Sequence, residues 1–141
     1  MTKQKSLIGT ELDCILRTVE ISHINRLDSI FNQASQKNAH LVYPSFLLGN
    51  LINLPKIYKV LSLNINNVLL SRESIISHKA LKVGDAIKIR TFLRDAYEQQ
   101  ASSNPIGFVI LETIGLLNND VAFYGERVIA VRGGFHRGRS S

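Results

Sequence analysis

The residue types able to move a proton or polarise a carbonyl near neutral pH are concentrated in one short stretch, "ASQKNAHLVYPS", residues 34–45. His40 carries an imidazole that titrates close to neutrality, so it is either an acid/base group or an ordinary histidine at the entry to a helix. Proton transfer at one reacting atom needs two groups of matched pKa, and no Asp or Glu lies within this stretch. Four residues beyond His40, Pro44 and Ser45 have the chemistry of a helix start, where unpaired backbone N–H groups can hold a carbonyl oxygen without help from a side chain.

Other chemistries lack their residues. No Gly-x-Ser-x-Gly elbow, phosphate-cradling glycine loop or metal-ligand spacing occurs, and no cofactor is called for. The single cysteine, Cys14, has no partner for an internal disulfide and reads as a small buried hydrophobe.

At 141 residues the chain suits one core and therefore one domain, drawn here as residues 1–132. Hydrophobic residues make up 45% and charged residues 20%, and no apolar run is long enough to span a bilayer, so no membrane partner is expected. The N-terminus shows no apolar signal segment, which places the protein in the cytoplasm by default. Half of the +6 net charge comes from Arg132, Arg137 and Arg139 near the C-terminus. Residues 133–141 read as a basic, unpacked Gly/Arg/Ser tail, with binding to nucleic acid or an acidic partner as the alternative. That alternative requires affinity that falls steeply with salt and disappears when residues 133–141 are removed.

These candidates need elements to position them. Ile15, Val19 and Ile21 share one face of an extended run, and residues 22–35 place Ile24, Leu27, Ile30, Phe31 and Ala34 on one stripe of a helix. A second helix over residues 44–54 is apolar on most sides, and Gly49 permits close approach of another backbone. After residue 56 the pattern predicts strands only: "VLSLNI", "VLLSRESIISH", "DAIKIRTFLRDAYEQ", "GFVILETIGLL" and "VAFYGERVIAVR". Turn chemistry separates them at "KVGD", "SSNPIG" and "NND", the last a hairpin turn. The class is α+β, with an antiparallel sheet wrapped around a mostly buried helix in a hotdog arrangement.

The stretch "HKALKVGDAIKIRT" resembles the strand, Gly-Asp corner and strand of the MaoC-like dehydratase/hydratase family, particularly its N-terminal-type domains. The resemblance covers most of residues 7–133, through "LIGTEL", "VEISHINRLDSIFNQA", "YPSFLLGNL" and "LETIGLLNNDVAFYGERVIAVRG" in that order. It implies an acyl thioester on CoA or acyl carrier protein as ligand, and a hotdog mate, either a second copy or a motif-bearing subunit. Hydratases of the family carry Asp-x-Asn-Pro-x-His before the central helix. Here Asn38 matches the Asn and His40 the His, but Gln36 and Lys37 stand near the place of the Asp, and Ala39 replaces the Pro. Leu70 likewise stands where those domains commonly have a His.

Gln cannot serve as a base and neither can a protonated Lys, so the resemblance implies a non-catalytic or partner-dependent subunit. Tyr43, Pro44, Ser45, Phe46, Leu47 and Gly49 are the substrate-binding residues it implies, with Leu51 and Phe123 further along an acyl channel. A thioesterase of the same fold is the runner-up, opposed by the absence of Asp and Glu from residues 44–54.

Overall fold

The computed structural model describes residues 2–19, 41–42, 52–101 and 104–135. Chain order is α1 (Lys3–Ser6), β1 (Glu11–Thr18), β2 (Leu41–Val42), α2 (Leu54–Val60), β3 (Val68–Ser77), β4 (Leu81–Lys82), β5 (Ala86–Ala101), β6 (Asn104–Leu117) and β7 (Asp120–Arg132). Five strands form an antiparallel sheet in the order β1-β5-β6-β7-β3, while β2 and β4 pair apart from it. The predicted helix over residues 22–35, and residues 44–51 of the one predicted over 44–54, lie outside the described residues; that second helix does not run through to 54, because Asn53 is non-helical and caps α2, which Leu54 begins.

The three long strands follow from alternation. In β5, Ile87, Ile89, Thr91 and Leu93 point one way and are buried, while Lys88, Arg90 and Phe92 point the other. In β6, Val109, Leu111 and Thr113 do the same. Asn118 and Asn119 turn β6 into β7 with φ of 52° and 67°, the left-handed values that a two-residue hairpin requires and asparagine tolerates. On β6, Gly115 stands directly opposite Phe123 of β7, and a Cβ there would collide with the phenyl ring.

Three expectations change. The chain from Leu54 to Val60 is helical: Asn53 caps it by accepting from the Lys56 N–H at 3.1 Å, and Pro55 sits in the first turn, where its missing N–H costs nothing. "VLSLNI" therefore closes α2, turns through Ser62 and enters a 3-10 turn at Ile65–Asn67 in place of a strand. Alternation was too short there to compete with a capped helix that buries Ile57 and Leu61. Cys14 is exposed, because the buried pair Leu12 and Asp13 leaves it on the outer side of β1.

The third change concerns the tail. Packing continues through Phe135, which is 1% exposed, and whose backbone N–H donates to Glu98 Oε2 at 3.2 Å. Its ring fills the space above Gly107, where a Cβ would stand 2.8 Å from it. The boundary drawn at residue 133 thus cuts off a core residue. Phe135→Ala is expected to lower unfolding free energy by about 3–5 kcal/mol, read by urea denaturation.

Candidate functional site

The residues proposed for chemistry, Asn38 and His40, and those proposed for the substrate, Tyr43, Pro44, Ser45, Phe46, Leu47 and Gly49, all lie outside the described residues. The backbone between the two groups is described. Leu41 and Val42 pair antiparallel with Lys82 and Leu81, so the chain joining His40 to Tyr43 is laddered onto the Lys-Val-Gly-Asp corner.

That corner is built to hold a strand in place. Gly84 takes φ of +95°, and Asp85 Oδ2 accepts the Lys82 N–H at 2.8 Å, closing the turn. Val19 bonds to both sides of it, donating to the Asp85 carbonyl at 2.9 Å and accepting from the Gly84 N–H at 2.8 Å. Leu81 anchors the corner from below, fully buried with Val19, Ile87, Ile89, Ala122 and Phe123. Phe123, expected along an acyl channel, is thus part of this cluster and fully buried.

Across the core face of the sheet, a polar row separates this cluster from a second one around Ile57, Leu61, Leu93, Leu111 and Ile129. The row runs Asp13 (β1), Thr91 (β5), Thr113 (β6) and Gly125 (β7), each opposite the next. The two threonine hydroxyls stand 3.5 Å apart. Lys56, from α2, donates to Asp13 Oδ1 at 2.7 Å and neutralises a carboxylate that is 3% exposed.

In the adjacent row, Leu93 and Leu111 continue to Arg127 and Glu73, which form an ion pair with the guanidinium buried. Sequence reasoning missed Asp13, Thr91, Thr113, Arg127 and Glu73. The signal was present in β5 and β6, where a threonine interrupts each inward run of Ile, Leu and Val at a position that alternation turns toward the core.

The outer face carries charge in pairs. Glu126 receives Arg94 and Arg72, and Tyr124 donates to Glu112 at 2.8 Å. Burial, aided by the bond to Glu112, pushes the Tyr124 hydroxyl above its ordinary value. On the β1 side, a hydrogen bond from Arg90 holds the Glu11 carboxyl below its ordinary 4.5. A surface cleft of about 430 Å³ lies beside Cys14, Leu16, Lys88, Leu116 and Asn118, away from the polar row. Among the described residues no three His, Cys, Asp or Glu side chains gather as metal ligands, and no helix is long and apolar enough to cross a membrane.

No family model and no curated protein matches the chain. Solved structures do match its shape. A chain of the ChsH1-ChsH2 complex from Mycobacterium tuberculosis superposes with a TM-score of 0.68 at 14% identity, covering 93% of this chain and 88% of that one. The HadBC (3R-hydroxyacyl-ACP dehydratase) complex of the same organism gives 0.61 at 9% identity, over 87% and 99%. A MaoC-like dehydratase from Rhodospirillum rubrum gives 0.56 at 13%, over 89% and 92%. The chain has the hotdog fold that these structures share.

The Glu11 contact sets an acid response. A carboxyl whose folded pKa is lowered contributes stability above its unfolded value and loses it as pH falls through the folded one. Glu11→Gln is therefore expected to flatten the loss of stability below pH about 4.5, a shallower acid limb in thermal melts against pH.

Proposed function

We propose that the protein is an acyl-thioester-binding hotdog subunit of the (3R)-hydroxyacyl dehydratase/enoyl hydratase group, which takes its ligand on CoA or acyl carrier protein. It binds such chains without turning them over by itself. In this reading Pro44 and Ser45, which the sequence predicts to open a helix, bind the thioester carbonyl through the backbone N–H groups that follow Pro44, and Tyr43, Phe46, Leu47 and Gly49 are the acyl-chain residues. Asn38 and His40 keep two positions of the hydratase pattern. The protein acts as half of a hotdog pair, with a second copy or a motif-bearing subunit as its mate.

One observation carries this reading: the hotdog sheet is intact while carboxylates are missing where hydration would need one. No Asp or Glu occurs between Asp28 and Glu73. The carboxylates in the middle rows of the core face, Asp13 and Glu73, are each committed to a cation, Lys56 and Arg127. Each of these carboxylates already faces a cation in place of a substrate water. The same absence disfavours a thioesterase, whose water would also need a carboxylate beside the central helix.

The expected result is salt-insensitive binding of crotonyl-CoA by calorimetry, with no loss of enoyl-thioester absorbance above the uncatalysed rate. His40→Ala should leave both unchanged. Hydration by the wild type that vanishes in His40→Ala would make His40 a catalytic residue and overturn the non-catalytic assignment. Absence of any acyl-CoA or acyl-carrier binding would overturn the ligand assignment.

A further inference from the structure

A surface cleft of about 370 Å³ lies against α2 and the 3-10 turn that follows it, lined by Pro55, Tyr58, Lys59, Leu63, Asn64 and Ile65. Its volume falls within the range of about 300–1,000 Å³ usual for small-molecule sites. Half of the lining residues are apolar and half carry a polar side chain, so both an apolar wall and orienting groups are present. None of the six belongs to the residues proposed for the acyl chain.

What a polar lining selects depends on which of its hydrogen-bonding groups the fold already uses. Here the fold uses the acceptors. Helix α2 ends in a left-handed turn at Ser62, with φ of 55°. That turn sends the Leu63 N–H back to the Tyr58 carbonyl at 2.9 Å and the Ser62 N–H to the Lys59 carbonyl at 3.0 Å, two bonds that together close a helix C-terminus. Asn64 then opens the 3-10 turn. Its Oδ1 accepts the Asn66 N–H at 2.9 Å, and its carbonyl accepts the Asn67 N–H at 2.9 Å.

The donors are left over. Among the described residues, the Tyr58 hydroxyl, the Lys59 ammonium and the Asn64 amide nitrogen have no acceptor. Lys59 takes part in none of the described ion pairs. Burial pushes the Tyr58 hydroxyl above its ordinary 10.0, against the opposing pull of Arg127, so the phenol keeps its proton at neutral pH. Three donors, one of them a cation, beside carbonyls that are already bonded are complementary to an acceptor carrying negative charge.

The surroundings narrow the anion. The cleft lies toward the C-terminal end of α2, which disfavours negative charge, and its lining holds one cation, so a single negative charge is balanced there and two are not. Pro55, Leu63 and Ile65 supply the apolar part, with Ile65 58% exposed. We infer that this cleft binds a small organic carboxylate, its oxygens held by Tyr58, Lys59 and Asn64 and its hydrocarbon part laid against Pro55, Leu63 and Ile65.

Benzoate, with benzamide as its uncharged isostere, tests the assignment on the full-length chain by calorimetry and chemical-shift titration. Benzoate is expected to saturate one site, and benzamide to show no binding up to about 10 mM, because its NH2 group meets donors where the carboxylate has an oxygen. Tyr58→Phe and Lys59→Gln should each weaken benzoate about tenfold. Asn64→Asp keeps an oxygen to cap the 3-10 turn but replaces the donor by a negative charge, so its circular dichroism should match the wild type while benzoate binding is lost. Lys5→Gln, a change of charge outside the cleft, should leave the affinity as it is. Benzoate should also raise the melting temperature of the wild type and leave that of Asn64→Asp unmoved.

Absence of saturation by benzoate at that concentration, equal binding of benzamide, or tighter binding of inorganic phosphate would overturn the inference. So would an affinity that falls as far in Lys5→Gln as in Lys59→Gln, since the attraction would then be diffuse charge. Displacement of benzoate by crotonyl-CoA would place it in the acyl site and overturn the inference as well.

Discussion

The β5–β6–β7 ladder sets which side chains of this protein face the core. Opposed residues in an antiparallel pair share a face, so the register Leu93–Leu111–Arg127 and Ile89–Gly115–Phe123 fixes the whole inner surface at once. A slip of one residue would expose Val109, Leu111 and Ile129 and bury Glu112 and Glu126. The paired asparagines at the β6–β7 turn and the Gly115–Phe123 fit hold that register from one end, and Phe135 over Gly107 closes the other.

On this surface the polar groups are arranged as carefully as the apolar ones. Two apolar clusters are divided by the row Asp13, Thr91, Thr113, and the charges near it are each compensated, Asp13 by Lys56 and Glu73 by Arg127. Such pairing removes the cost of a lone buried charge by giving each of those carboxylates a cation partner. One electrostatic arrangement thus stabilises the sheet and leaves neither carboxylate of its middle rows without a cation.

Several features were legible because they depend on neighbours in sequence. Alternation located β3, β5, β6 and β7, Gly84 and Asp85 marked the corner, and the double asparagine marked the hairpin. Helix α2 was not, since its signal is one cap residue and a proline beside a run that also alternates, and the burial of Ile57 and Leu61 decides between them. Cys14 was misplaced because side-chain type says little about which face of an edge strand a residue occupies. Phe135 was hidden in a glycine- and arginine-rich context, and only the space above Gly107 accounts for its burial. The positions proposed for the ligand, residues 38–49, come from resemblance, apart from the helix start that the sequence predicts at Pro44 and Ser45.

By itself, the sequence determined the α+β class, the positions of the long strands, the corner at Gly84 and Asp85, and the lack of a carboxylate between Asp28 and Glu73. Each of these is local, a matter of period, turn preference or plain absence. Tertiary structure alone decided that Glu73 lies against Arg127, that Asp13 lies against Lys56, and that Phe135 fills the space above Gly107. These contacts join residues tens of positions apart, so all three exist only once the ladder has formed.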